Sequence, residues 1–142
     1  MKRQPLTLRC GALTALMPVL RAERTPKWVL YALSHFVEPS LVEPTILHDY
    51  PVELSPFARA TDDDPSIVER FEYYVGGMEL GNAFTEINDA VEQQERFTLQ
   101  EAEGAGGNVE AEQGDPDYVA ALSYGMPPTG GLGMGIDRLA LV

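Results

Sequence analysis

Cysteine is nearly absent, with Cys10 the sole one in 142 residues. One thiol cannot close an internal disulfide, which excludes a disulfide-stapled secreted scaffold and suits a reducing, cytoplasmic setting. Histidine is scarce too. Neither His35 nor His48 has a metal-ligand partner at workable spacing. No apolar run approaches the roughly 20 residues that span a bilayer, so no membrane partner is expected. No serine elbow is present, and Cys10 has no local context for a nucleophile. Basic residues are rare after position 27. Residues 1–27 hold six of the ten Lys and Arg with one acid, Glu23, whereas 28–142 holds four basic and 21 acidic residues. Such an acidic body has few cations with which to displace counterions, so it is a poor general binder of nucleic-acid backbone. Any such contact needs a grip from elsewhere.

The start, MKRQPLTLRCGALTALMPVL, has a basic end and a short apolar stretch. Arg9 and Arg21 flank that stretch and no clear small-residue cleavage site follows, so 1–27 reads as a poorly ordered basic leader, not an export signal. The remainder, 28–142, has the length of one domain. From Trp28 to Glu38 the apolar residues Val29, Leu33, Phe36 and Val37 recur at helical spacing, predicting an amphipathic helix closed by Pro39. Ile46–Asp49 and Val52–Leu54 are short β-prone pieces cut by Pro44, Pro51 and Pro56. Asp62–Pro65 is a loop. Ile67–Val75 and Met78–Ile87 read as strands joined by a Gly76-Gly77 hairpin turn. Ala90–Gln100 looks helical with weak periodicity, 101–114 is an acidic, Gly-rich loop or frayed helix end, and Asp115 caps a helix ended by Gly125. Hairpins alternating with helices predict an α+β fold, an antiparallel sheet flanked by helices.

The second strand of the hairpin is oddly acidic. With Gly76-Gly77 as the turn, Val75 faces Met78, Tyr74 faces Glu79, Tyr73 faces Leu80 and Glu72 faces Gly81. Glu72 and Glu79 then lie diagonally on one face, about 7–8 Å apart at the backbone. That gap suits an oxygen-coordinated divalent ion, and magnesium held by one or two carboxylates plus substrate phosphates is the usual arrangement. Strict alternation sends Asn82, Phe84 and Glu86 to the other face. A bulge at Gly81 would reverse the parity and bring Glu72, Glu79, Asn82, Phe84 and Glu86 together. The plainer alternative is a solvated face carrying ordinary surface acids.

Near the end, Gly131, Gly133 and Gly135 alternate, so one strand face lacks side chains and a flat ring could lie against it. Asp137-Arg138 then opens a helix, where a helix N-terminus and an arginine fork both favour phosphate. The pattern is neither the Rossmann fingerprint nor a P-loop. Close packing of the strand on a helix would equally account for the glycines.

These residues match a known family. GGLGMGIDRLALV, at 130–142, resembles motif 3 of class II aminoacyl-tRNA synthetases. PTILHDYPVELSPFAR, RFEYYVGGMELGNAFTEINDAVEQQERF and DPDYVAALSYGMPPTGGLGMGIDRL resemble the lysyl-tRNA synthetase family, in the family's order and over roughly residues 30–142. The resemblance implies that lysine and ATP condense to lysyl-adenylate and that the lysyl group passes to tRNA. It implies that Glu72 and Glu79 hold magnesium on ATP and that Glu72 also belongs to the ATP site. Asn82, Phe84 and Glu86 would form the lysine pocket, with Glu86 toward the ammonium, and Arg138 would be the catalytic arginine meeting the terminal phosphate. The implied partners are lysine, ATP and tRNA, in a family that is homodimeric and cytoplasmic.

Motif 1, motif 2 and the anticodon-binding barrel of the family have no counterpart here, and residues 1–27 resemble nothing in it. The resemblance therefore implies the C-terminal half of a catalytic domain over 28–142, with little or no synthetase activity of its own. A non-catalytic lysine- or nucleotide-binding remnant, or a paralogue acylating a non-tRNA acceptor, would carry the same motifs.

Overall fold

The computed structural model describes residues 6–9, 26–107 and 111–142. Cys10 and most of the basic leader lie outside the described residues. One five-stranded sheet organises the rest, in the spatial order β1-β2-β3-β4-β5. β1 (Leu6–Arg9) pairs in parallel with β2 (Thr45–Pro51). β2, β3 (Ile67–Val75), β4 (Met78–Thr85) and β5 (Gly130–Met134) are antiparallel neighbours. With its helices, the protein has the expected α+β architecture. The β3–β4 turn is Gly76-Gly77, whose φ angles of 61° and 76° are both left-handed. Two such residues in succession match the twist of a tight hairpin, and glycine adopts them without a Cβ clash.

α1 (Pro26–Ala32) runs into a π turn over Leu33–Val37 and a 3-10 turn over Glu38–Ser40. Pro39 thus opens the last turn rather than closing the helix, because an early helical position has no N–H bond for proline to lose. The helical path lays Leu33, with Val29 and Val37 beside it, on a core of Leu41, Leu47, Tyr50, Ala58, Val68 and Tyr74. Val52–Leu54, read as β-prone, is a 3-10 turn in which the Ser55 N–H donates to the Val52 carbonyl at 3.2 Å. Prolines at 51 and 56 leave a piece too short to extend a ladder.

α2 (Ala90–Ala105) extends past Gln100 into the acidic segment. Its buried residues are Gln93, Phe97 and Gln100, at i, i+4 and i+7. Two of the three are polar, which is why apolar periodicity is weak there. Their amides are satisfied by backbone: Gln93 donates to the Pro56 carbonyl at 3.0 Å and Gln100 to that of Glu53 at 3.3 Å. α3 (Pro116–Ser123) begins at Asp115, whose carboxylate accepts from the Asp117 and Tyr118 N–H groups at 3.0 Å. β5 then runs along β4 and gives way to the single-turn α4 (Ile136–Leu139).

Candidate functional site

Two irregularities in the sheet build the site. In β4 the register jumps: Tyr74 pairs with Glu79, yet Tyr73 pairs with Gly81 and Glu72 with Asn82. The extra residue is Leu80, one position before the glycine expected to bulge, so the Tyr73–Leu80 and Glu72–Gly81 pairs do not form. Gly81 is small for another reason. A Cβ there would collide with the Gly133 carbonyl and the Tyr73 hydroxyl. Directly opposed strand residues share a face, so this jump sets Glu79, Asn82 and Phe84 on the face of Arg70, Glu72 and Tyr74. In β2 the register jumps between His48 and Tyr50, around Asp49 at φ 63°. That second bulge returns Tyr50 to the face that already carries Leu47, so both meet β3 from the same side.

Glu72 is buried and heavily engaged. Tyr50 donates its hydroxyl to Glu72 Oε2 at 2.6 Å, Tyr74 donates to the same oxygen, and Arg70 donates Nη2 to Oε1. Arg70 also donates to the Leu54 carbonyl and Ser55 Oγ, and its guanidinium lies 4.9 Å from the Tyr50 ring centroid. Burial, and then the adjoining Glu72 charge, push the Tyr74 hydroxyl far above the usual phenol range. Charge-assisted bonds of this kind are among the stronger ones in proteins.

Glu79 is less committed. Asn82 Nδ2 donates to its Oε1 at 3.4 Å, and Arg138 Nη1 lies 4.0 Å from Oε2 while donating to the Glu79 carbonyl at 2.8 Å. Partial burial, reinforced by the Glu72 charge, raises the Glu79 carboxyl above the ordinary range, against smaller opposing effects of Asn82, Arg138 and Arg70. Two like charges on one face are a place where a cation relieves repulsion. The donor set suits magnesium in a limited way. A carboxylate has about four acceptor directions, of which Glu72 has committed three. One direction on Glu72 and most of Glu79 remain. Among the described residues no group of three or more His, Cys, Asp or Glu converges. The pair therefore fits an ion that brings phosphate and water ligands of its own, and does not form a closed protein cage.

Arg138 stands in α4, anchored through the Glu79 carbonyl, with more than half of its side chain exposed. One short turn supplies little macrodipole, so the guanidinium is the positive element at this end. Most of its five N–H donors stay uncommitted to the described residues.

Glu86 lies just beyond β4, bridged to Ala58, with its N–H donating to the Thr129 carbonyl at 2.9 Å. Gly133 pairs with Asn82 and Gly131 with Phe84, so both glycines belong to the site face. A Cβ on Gly131 would collide with Glu86 Oε1, which places that carboxylate directly on the bare strand. Partial burial raises the Glu86 carboxyl above the ordinary range. Among the described residues, no side chain donates to it and no cation pairs with it. Glu72, Glu79, Asn82, Phe84 and Glu86 are thus gathered on one face, with Arg138 at its margin.

Sequence reasoning missed Tyr50 and Arg70. Arg70 was within reach, since it stands two residues before Glu72 on the same strand face. Tyr50 was not, because its orientation depends on the bulge at Asp49, for which no glycine gives a signal.

The chain matches the family described as tRNA synthetases class II (D, K and N) over residues 14–142. It is 52% identical to the lysine–tRNA ligase of Chloroflexus aurantiacus over 126 residues, 87% of this chain and 26% of that protein. With the lysine–tRNA ligase of a Roseiflexus species the identity is 48% over 141 residues, 92% of this chain and 29% of the relative. For that of Leuconostoc mesenteroides it is 54% over 107 residues, 75% of this chain and 22% of the relative. The chain spans about a quarter of the length of these relatives. Among the described residues, no helix is long and apolar enough to cross a membrane. A match covering nearly the whole chain makes this protein a member of the class II tRNA synthetases of the D, K and N group.

Proposed function

We propose that the chain forms the lysine- and ATP-facing part of a lysine–tRNA ligase. The observation that carries this reading is Glu86, a partly buried carboxylate without a described cation, set against a strand stripped of side chains. A carboxylate losing water gains most from an ammonium ion that enters with the substrate. The lysine ammonium would pair with Glu86, Phe84 would pack on the methylene stem, and Asn82 would supply polar contacts.

In the proposed reaction the lysine carboxylate attacks the α-phosphorus of ATP, a C–O–P anhydride forms and pyrophosphate leaves. The 3′ hydroxyl of tRNA then attacks the lysyl carbonyl, and AMP leaves. Arg138 would act as the catalytic arginine on the terminal phosphate, holding charge that the departing pyrophosphate carries. Glu72 and Glu79 would hold magnesium, which when bound neutralises phosphate charge. Glu72, pinned by Tyr50, Tyr74 and Arg70, is the rigid member of that pair. The same reading implies tRNA as acceptor, a homodimer and a cytoplasmic location.

Calorimetric titration with L-lysine and with norleucine, which has the same stem but no ammonium, tests the reading. Lysine should bind at least tenfold tighter, and Glu86→Gln should erase that difference. Equal binding of the two amino acids, or full lysine selectivity in Glu86→Gln, would sink it.

A further inference from the structure

Glu86 sits where the sheet meets the helical layer. Its backbone bridges Ala58, and the next residue, Ile87, donates its N–H to the Phe57 carbonyl at 3.0 Å. Backbone geometry therefore fixes Phe57 beside Glu86. Phe57, Phe97 and Tyr118 pack edge to face, with centroid separations of 5.6, 6.0 and 6.2 Å. Phe97 is fully buried, whereas Tyr118 is only partly so, which makes Tyr118 the member on the open side. Two constraints hold its approach. Asp115 accepts from the Tyr118 N–H, and Gln93 clips α2 to the Pro56 carbonyl next to Phe57. Burial first, and the Glu86 charge second, raise the Tyr118 hydroxyl, so the phenol lies within the field of that carboxylate.

We propose that Tyr118 is a positioning residue for the lysine side chain: its ring, braced by Phe57 and Phe97, walls the approach to Glu86 so that the carboxylate meets an unbranched cationic chain in a water-poor slot. The inference rests on the lysine reading of Glu86 and adds to it the group that sets how dry and how narrow the slot is. Excluding water strengthens an ion pair, and an aromatic face beside an ammonium adds its own attraction.

The test uses the full chain with Tyr118→Phe, Tyr118→Ala and Tyr118→Leu. Leucine keeps the contact with Phe57 but is too short to cover the carboxylate, and it guards against an alanine variant that fails to fold. Two readouts are taken: the pH titration of the Glu86 side-chain carboxyl by carbon NMR in the free chain, and affinities for lysine and ornithine. Tyr118→Phe should match the parent chain in both. In the alanine and leucine variants the Glu86 carboxyl should titrate closer to the ordinary glutamate range. Their lysine affinity should fall about tenfold, the order of one desolvated cation–π contact. An unchanged Glu86 titration in both shortened variants would overturn the inference. Glu86→Gln separates the two ideas: if lysine selectivity survives that change the lysine reading fails, while the carboxyl titration still decides whether Tyr118 walls the site.

Discussion

At the β2–β3 side of the site face, Glu72 accepts from Tyr50, Tyr74 and Arg70. At the β4–β5 side, Glu86 accepts from no described side chain and rests on Gly131. Both are glutamates on one face of one sheet. The first spends nearly all its bonding capacity on its own fold, and the second keeps its capacity open. A carboxylate satisfied internally can be rigid but offers little to a ligand. One left unsatisfied costs stability, and that cost is recovered when a cation binds.

The comparison breaks most visibly at Glu72. Glu72→Ala leaves the Arg70 guanidinium partly buried without its carboxylate and orphans two tyrosine hydroxyls. Removing one partner of a buried charged pair costs about 3–5 kcal/mol. Urea unfolding should show a loss of that order, and a loss below about 1 kcal/mol would mean the cluster is no more than a surface pair. Gly81→Ala comes next. Its Cβ would meet the Gly133 backbone carbonyl, which cannot swing away as a flexible side chain could. Overpacking of this kind costs about 1–3 kcal/mol, and amide exchange should rise along the β4–β5 ladder first. Unchanged protection there would show that the strands separate without penalty.

The hairpin, its glycine turn and the Asp115 cap were legible because each depends on local chemistry: two adjacent glycines, an alternating strand, an aspartate before Pro116. The motif strings also gave the family and the identity of the acids. What stayed hidden was parity. Gly81 correctly suggested that a bulge exists, but the inserted residue is Leu80, because Gly81 is occupied in a close backbone approach. The bulge at Asp49 is invisible in composition, since an aspartate at positive φ looks like any other aspartate in sequence. Without it, Tyr50 cannot be aimed at Glu72, and the difference between the satisfied and the open carboxylate cannot be seen. The inward face of α2 was obscured for a related reason: Gln93 and Gln100 are buried by long-range bonds to the 52–56 turn, which no window of sequence contains.

The smallest effect sharpens the comparison at its open end. Burial raises the folded-state Glu86 carboxyl above its unfolded value. For such a group the folded state holds its proton more tightly, so its contribution to stability is complete below the unfolded pKa and disappears as pH rises through the folded one. Glu86→Gln cannot ionise and escapes that loss. Relative to the parent chain, the variant should therefore become progressively more stable as pH climbs through and just above the ordinary glutamate range, and the gap should then level off. The gain should be on the order of a few tenths of a kcal/mol, since solvent screens a partly exposed carboxylate. Glu79 is raised in the same direction but is present in both chains, so it cancels in the difference. Thermal unfolding across pH measures the gap. A variant that loses stability at neutral pH would reveal a stabilising partner for Glu86 and make the two carboxylates alike. A variant that gains stability while losing lysine selectivity would show one carboxylate held against the interest of the fold for the sake of a ligand.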